Sequence, residues 1–145
     1  MMHRIVVGVD GSEGSDEALR WALRCATETR ATVEAVNAWE LSYEWVDGYF
    51  PHIERWCQEA SRSARVILDA AVDRAVAGQA GSVGVSRTVV EGPAARVLIE
   101  EAKGADLLVV GSRGRGGFVG LLLGSVSEQC VQHACCPVVV VPTPA

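Results

Sequence analysis

Runs of valine, isoleucine and leucine recur along this chain, and segments with helical periodicity separate them. The runs lie at residues 5–9, 32–39, 85–90, 107–110 and 137–141. Because these runs are continuous rather than alternating, they predict strands that are covered on both faces. Strands buried in this way belong to parallel sheets with right-handed crossovers. The sequence therefore predicts a doubly wound, Rossmann-like α/β fold, with a five-stranded, mostly parallel sheet and helices on both faces.

Four helices are predicted between the strands from the spacing of apolar residues. The second begins near residue 53 and is ended by the glycines at 78, 81 and 84. The fourth is predicted over residues 125–133. With 145 residues and 49% apolar content, the chain is expected to form one domain over residues 1–145.

The charge of the chain and the absence of long apolar runs argue against some classes of binding partner and location. The chain has 13 Lys and Arg against 18 Asp and Glu, a net charge of -5, which argues against nucleic acid and against an anionic membrane surface. The start of the chain lacks the apolar stretch and cleavage site of a signal peptide, and no run reaches membrane-spanning length. A cytoplasmic protein is expected.

The five cysteines do not form a recognisable disulfide framework. Their number is odd, so reduced thiols are the expected state. Cys130, His133, Cys135 and Cys136 lie close together in sequence, which raises a metal site as an alternative. Two ligand pairs at zinc-finger spacing are missing, and buried free cysteines are common, so no metal ligand is assigned.

A glycine pattern follows the fourth predicted strand. Gly111 and Gly114 are followed by nine residues and then by Gly124 and Ser125, where the fourth helix begins. Backbone amides and the helix dipole converge in such a loop and favour a phosphate. In doubly wound sheets ligands bind outside the carboxyl ends of the strands, where the winding reverses. The loops after the first and fourth strands are therefore expected to face one crevice and to form a nucleotide site.

Standard nucleotide motifs do not match this loop. A Walker loop needs Gly-Lys, and that dipeptide is absent from the chain. The dinucleotide pattern needs Gly-x-Gly-x-x-Gly, and the spacing of Gly8, Gly11 and Gly14 differs from it. A serine-hydrolase elbow also fails, because Asp10 stands where its first glycine belongs.

Three segments together resemble the universal stress protein family in its ATP-binding branch. They are Ile-Val-Val-Gly-Val-Asp-Gly-Ser at residues 5–12, Ala-Asp-Leu-Leu-Val-Val-Gly-Ser-Arg-Gly at 105–114, and the stretch from Gly-Ser-Val-Ser-Glu at 124–128 to the valines at 138–141. The resemblance covers the whole chain. It implies an adenine-nucleotide-binding fold, ATP as the ligand, with or without Mg²⁺ or Mn²⁺, and a homodimer.

The resemblance also implies roles for individual residues. The triphosphate would be cradled by Gly111, Gly114, Gly124 and Ser125, with further contacts from Val126 and Ser127 at the helix start. Asp10, followed by Gly11, would lie against the nucleoside and accept a hydrogen bond from a ribose hydroxyl. The backbone of Ala38, on the second strand, would meet the adenine edge.

The charge of the loop suits a triphosphate. No acidic residue lies between Asp106 and Glu128, whereas Arg113 and Arg115 do, so this acidic chain has a locally positive loop. The alternative is that both arginines are ordinary solvated charges. The aromatic segment at residues 43–50 follows the second strand and is interpreted either as a lid over the crevice or as packing surface.

Two local features have simpler interpretations. Ser125 and Glu128 match a capping box, which would satisfy the helix start without a ligand. Asp10, Gly11 and Ser12 match a turn with Ser12 as helix N-cap. Either feature could be structural alone.

Three functions remain open. The first is an ATP-binding switch or sensor in a stress response, with at most slow ATP hydrolysis and no assigned catalytic residue. The second is a nucleotide-free stress or scaffold protein of the same fold. The third is an adenylate-chemistry enzyme, whose usual Ser-Gly-Gly-x-Asp-Ser loop is absent after the first strand.

The last strand, at 137–141, is predicted at the sheet edge, where pairing with a second copy would form the homodimer. The sequence identifies no other protein partner.

Overall fold

The structure is a computed structural model that describes residues 2–41, 52–79, 81–113 and 123–144. It contains the predicted strands and helices in the predicted order. The elements are β1 (Arg4–Gly8), α1 (Glu13–Thr29), β2 (Thr32–Trp39), α2 (Ile53–Ala77), β3 (Val85–Glu91), α3 (Ala94–Glu101), β4 (Leu107–Gly111), α4 (Ser125–His133) and β5 (Val138–Val141). Gly78 is the C-cap of α2, which confirms the predicted end of that helix.

The five strands form one sheet in the order β3-β2-β1-β4-β5. Every neighbouring pair is parallel, and Ile5 at the centre pairs with Val33 of β2 and Leu107 of β4. The chain moves outward from β1 to β3 on one side and then from β4 to β5 on the other. The winding therefore reverses between β1 and β4, and β5 lies at an edge. The doubly wound fold is confirmed, with a sheet that is parallel throughout.

Each face of the sheet carries its own hydrophobic core. Successive strand residues point to opposite faces, so a continuous apolar run supplies both cores. On one face Val7 and Val109 pack with Leu19 of α1 and Leu68 of α2. On the other, Val6, Val36 and Leu108 pack with Val97 and Leu98 of α3 and with Cys130 of α4. This two-sided burial explains the apolar runs of the central strands β1 and β4, whereas the edge strand β3 is less buried and carries Ser86, Arg87 and Thr88.

Polar groups tie the amino ends of the central strands to α3. Asp106 Oδ2 accepts hydrogen bonds from the backbone N–H groups of His3 at 2.7 Å and Arg4 at 2.9 Å, which lowers the pKa of Asp106. The Arg4 guanidinium donates to Glu34 at 3.0 Å and to the carbonyl of Glu101 at 2.6 Å. A hydrogen bond between the Glu34 and Glu101 carboxyl groups, together with burial, raises the pKa of Glu101. This network lies at the amino ends of the strands, opposite the edge that the loops after β1 and β4 leave.

All five cysteines are free thiols. Cys130 lies on the buried face of α4, and burial raises the pKa of its thiol to about 11, whereas Cys135 is exposed. Within the described part of the chain, no three histidine, cysteine, aspartate or glutamate side chains are arranged to hold a metal ion. Among the helices of the described ranges, none is long and apolar enough to cross a membrane.

Candidate functional site

The loops that follow β1 and β4 meet at the carboxyl edge of the sheet, where the winding reverses. The meeting point is bare main chain. A β-carbon on Gly111 would lie 2.7 Å from the carbonyl carbon and oxygen of Gly14, and one on Gly14 would lie 2.4 Å from the carbonyl oxygen of Arg113. Real β-carbons do not approach backbone atoms so closely. Glycine is therefore required at both positions to let α1 begin against the end of β4.

This contact gives Gly111 a role that the sequence alone did not reveal. The absence of a side chain at residue 111 was attributed to the approach of a phosphate, whereas the structure places the main chain of Gly14 there. Gly14 was not recognised as a site residue. Its partner lies on another element nearly one hundred residues away, so only the fold brings the two glycines together.

The β1–α1 loop is an ordered turn that caps α1. Asp10 Oδ1 accepts a hydrogen bond from the N–H of Ser12 at 2.8 Å, and Ser12 Oγ in turn accepts from the N–H of Ser15 at 3.2 Å. Ser12 is the N-cap of α1, as the turn interpretation predicted. Gly11 has a φ of 84°, and a β-carbon there would lie 2.8 Å from Cγ2 of Ile67. The Asp10 carboxylate thus helps to fix the turn between β1 and α1.

The start of α4 is anchored to the end of β4. The N–H of Gly124 donates to the carbonyl of Ser112 at 2.6 Å, and the Ser127 hydroxyl lies 3.1 Å from the same carbonyl oxygen. Gly124 is the N-cap and makes no side-chain cap, so the capping box that pairs Ser125 with Glu128 is wrong. Ser125 is instead the first residue inside the helix and is exposed.

Among the described residues of this edge, the first backbone amides of α4 form an arrangement that can bind an anion. Glu128 N–H bonds back to the carbonyl of Gly124, so the amides of Ser125, Val126 and Ser127 precede the first intrahelical bond. The helix dipole adds partial positive charge at this end. Chemically, the arrangement suits a phosphate or another anion.

The remaining predicted residues lie at the same edge or outside the described residues. Ala38 lies two residues beyond Val36, which pairs with Gly8, so Ala38 and Asp10 are both at the carboxyl ends of their strands. Arg113 is half-buried beside Gly14. Three predicted features lie outside the described residues: Gly114, Arg115 and the aromatic segment at 43–50.

Asn37 is a polar residue of this region that the sequence analysis missed. It is only 5% exposed, and its Nδ2 donates to the carbonyl of Ala64 on α2 at 3.1 Å. One helical turn further along α2, the side chain of Ile67 fills the space that a β-carbon on Gly11 would need. Asn37 therefore holds α2 in the position from which it supports the β1–α1 turn. The available signal was an asparagine between apolar residues, Val36 and Ala38, in the second half of β2.

A model of the universal stress protein family matches residues 1–142. The chain belongs to the universal stress protein family. This agrees with the resemblance seen in the sequence, and the match includes the loops after β1 and β4 and the whole of α4.

Individual relatives of this universal stress protein show the same relationship. A universal stress protein of Mycolicibacterium smegmatis is 38% identical over 140 residues, which cover 94% of this chain and 45% of the relative. The chain thus spans a little under half the length of that relative.

Solved structures of the family share the fold. A universal stress protein crystallised in complex with cAMP has a TM-score of 0.69 and 31% identity, and the match covers 99% of this chain and 98% of the other. The universal stress protein UspA from Lactobacillus plantarum has a TM-score of 0.79 at 20% identity, with 97% of each chain covered.

Proposed function

We propose that this universal stress protein binds ATP in the crevice between the β1–α1 turn and the start of α4. The observation that carries the proposal is the anchoring of α4. Its first three amides begin beside the Gly14 and Gly111 contact, at the point where the sheet reverses its winding. Doubly wound proteins bind their ligands at this point.

The phosphates are assigned to the α4 side of the crevice. The backbone amides of Ser125, Val126 and Ser127 offer hydrogen bonds and the helix dipole offers partial positive charge. Gly124 keeps the entry to the helix free of a side chain, and Arg113 adds a positive charge near the same edge. In this proposal Gly111 shapes the floor of the crevice through its contact with Gly14, and Gly114 approaches the phosphates.

The nucleoside is assigned to the ends of β1 and β2. Asp10 and Gly11 form the turn that would lie against the ribose, and the backbone of Ala38 would meet the adenine edge. An adenine nucleotide is the ligand class favoured here, because the related structure at 31% identity is a complex with cAMP. ATP extends that class by the phosphates that the α4 amides would hold, with Mg²⁺ or Mn²⁺ as the counter-ion of the triphosphate.

ATP binding would act as a switch rather than as a step in fast catalysis. Ser112 connects the crevice to the sheet edge, because its N–H donates to the carbonyl of Val141, the last residue of β5. Ordering of the segment from Gly111 to Ser125 by ATP would therefore reach the edge strand. Pairing of β5 with β5 of a second copy would form the homodimer, and that surface is the proposed output.

Titration calorimetry with ATP, ADP, AMP and cAMP, each with and without Mg²⁺ or Mn²⁺, tests the proposal. Gly114→Trp should abolish ATP binding while the protein stays folded. Gly84→Trp is the matched control, because Gly84 is exposed at the amino end of β3 and its β-carbon would meet only Thr32 Cγ2, at 3.7 Å. Unchanged ATP affinity in Gly114→Trp would reject the site.

A nucleotide-free scaffold is the second candidate function. It is favoured by the two contacts that explain site residues without a ligand: the main-chain contact of Gly14 with Gly111, and the Asp10 bond to Ser12. Mass spectrometry of the purified protein for retained ATP or ADP, followed by titration, distinguishes the two functions. A protein that carries no nucleotide and binds none would act through its dimer or partner surfaces.

A further inference from the structure

The carbonyl of Ser112, the residue that follows β4, links the end of that strand to the start of α4. Two donors from α4 converge on it: the N–H of Gly124 at 2.6 Å and the hydroxyl of Ser127 at 3.1 Å. The same hydroxyl lies 3.0 Å from the carbonyl of Gly124, so its one proton is shared between two backbone acceptors. Ser127 is 3% exposed and Ser112 is 9% exposed, so water competes little for these groups.

We propose that Ser127 is a positioning residue, whose hydroxyl orients the first amides of α4 toward the phosphates. This inference rests on the proposed function. It assigns the side chain of Ser127 to the interior of the protein and leaves only its backbone N–H for the ligand. Ser127 acts on the nucleotide through the orientation of the helix start, and it makes no side-chain contact with the phosphates.

The fold should survive removal of this hydroxyl. Without it, the carbonyl of Ser112 still accepts from Gly124, and the carbonyl of Gly124 still accepts from the N–H of Glu128 at 3.0 Å. No buried acceptor is left without a donor, so the large penalty for an unsatisfied group does not arise. What changes is the orientation of the helix start, because one hydrogen bond to the Ser112 carbonyl, rather than two, then holds it against the end of β4.

The effect should depend on the phosphates of the ligand. A nucleoside without phosphates does not use the α4 amides, whereas ATP does. Loosening the helix start should therefore weaken ATP binding and leave adenosine binding nearly unchanged. General destabilisation of the protein would weaken both ligands to the same extent.

The experiment measures ATP and adenosine as competitors of a fluorescent ATP analogue in wild-type protein, Ser127→Ala and Ser127→Cys. The cysteine variant fills the same space with a weak donor and serves as the second variant. Thr29→Val is the control, because Thr29 Oγ1 donates to the carbonyl of Cys25 at 2.7 Å near the far end of α1. It loses a hydroxyl bond of the same kind away from the crevice.

In both Ser127 variants ATP affinity is expected to fall about five- to tenfold, which is the value of one hydrogen bond, and adenosine affinity less than about twofold. Thr29→Val should bind both ligands as the wild type does. Equal losses for ATP and adenosine, or unchanged ATP affinity in Ser127→Ala, would overturn the positioning role while the proposed function stands. A wild-type protein that binds no ATP would reject the proposed function itself, and this inference with it.

Discussion

Gly14 in the first turn of α1 lies against Gly111 at the end of β4 with no side chain between them: a β-carbon on Gly111 would stand 2.7 Å from the carbonyl carbon of Gly14. The two residues belong to the two halves of the doubly wound sheet, and their contact closes the base of the proposed nucleotide crevice. Because the two main chains are so close, a single methyl group on either glycine would collide with backbone atoms of the other loop or helix.

Gly14→Ala is expected to destabilise the protein. Alanine in place of glycine within a helix normally stabilises it by up to about 1 kcal/mol. Here the new β-carbon would lie 2.4 Å from the carbonyl oxygen of Arg113, and such overpacking costs about 1–3 kcal/mol. Urea unfolding should show a net loss of stability. Gly84→Ala, with only an ordinary contact at 3.7 Å, should show none, and a stabilised Gly14→Ala would contradict the observed packing.

The fold could be predicted from the sequence because its signals are local. Runs that are buried on both faces indicate a parallel sheet, and the glycines after α2 mark its end. The place of the candidate site was predicted from the fold, since the loops after β1 and β4 leave the sheet where the winding reverses. These inferences need periodicity and topology but no side-chain contact.

The chemistry inside the site was harder to predict because it depends on contacts between distant residues. The spacing of Ser125 and Glu128 matches a capping box, yet the N-cap is Gly124, whose N–H is bound to the carbonyl of Ser112. The buried hydroxyl of Ser127 and the partner of Asn37 on α2 likewise depend on how the helices pack. A sequence shows which side chains are polar, but only the packing shows which of them point inward.

Asn37→Ala is expected to lower the free energy of unfolding by about 1–2 kcal/mol. The substitution removes a buried hydrogen bond from Nδ2 to the carbonyl of Ala64 and leaves space between β2 and α2. Gln79→Ala is the control, since its amide bonds to Thr27 Oγ1 at 3.1 Å at an exposed position, and it should cost less than about 0.5 kcal/mol. Equal losses of stability in the two variants, measured by urea unfolding, would show that the Asn37 hydrogen bond does not hold α2 against β2.

Cys130 is expected to resist thiol reagents in the native protein. Burial raises the pKa of its thiol to about 11, so little thiolate is present at pH 8, and the core shields the sulfur. Cys135 is exposed and should react first. Peptide mapping after brief labelling at pH 8 checks the order, and Cys130 should become reactive only on addition of denaturant. Early labelling of Cys130 would indicate that α4 opens readily.

Glu101→Gln is expected to stabilise the protein at neutral pH. A hydrogen bond to Glu34 raises the pKa of Glu101 above its ordinary value of 4.5, so the folded state holds this proton more tightly than the unfolded state does. The stabilisation is complete below pH 4.5 and is lost as the pH rises through the folded-state pKa. Glutamine donates at every pH, so the gain should appear above that pKa, at most about 1 kcal/mol at this partly exposed position, and shrink toward pH 4. Urea unfolding from pH 4 to 7 measures this gain in stability.

Glu100→Gln is the control, because it breaks only the exposed ion pair with Lys103 and should give no gain at pH 7. If the stability of Glu101→Gln changed with pH in parallel with the wild type, that result would contradict the hydrogen bond between Glu34 and Glu101.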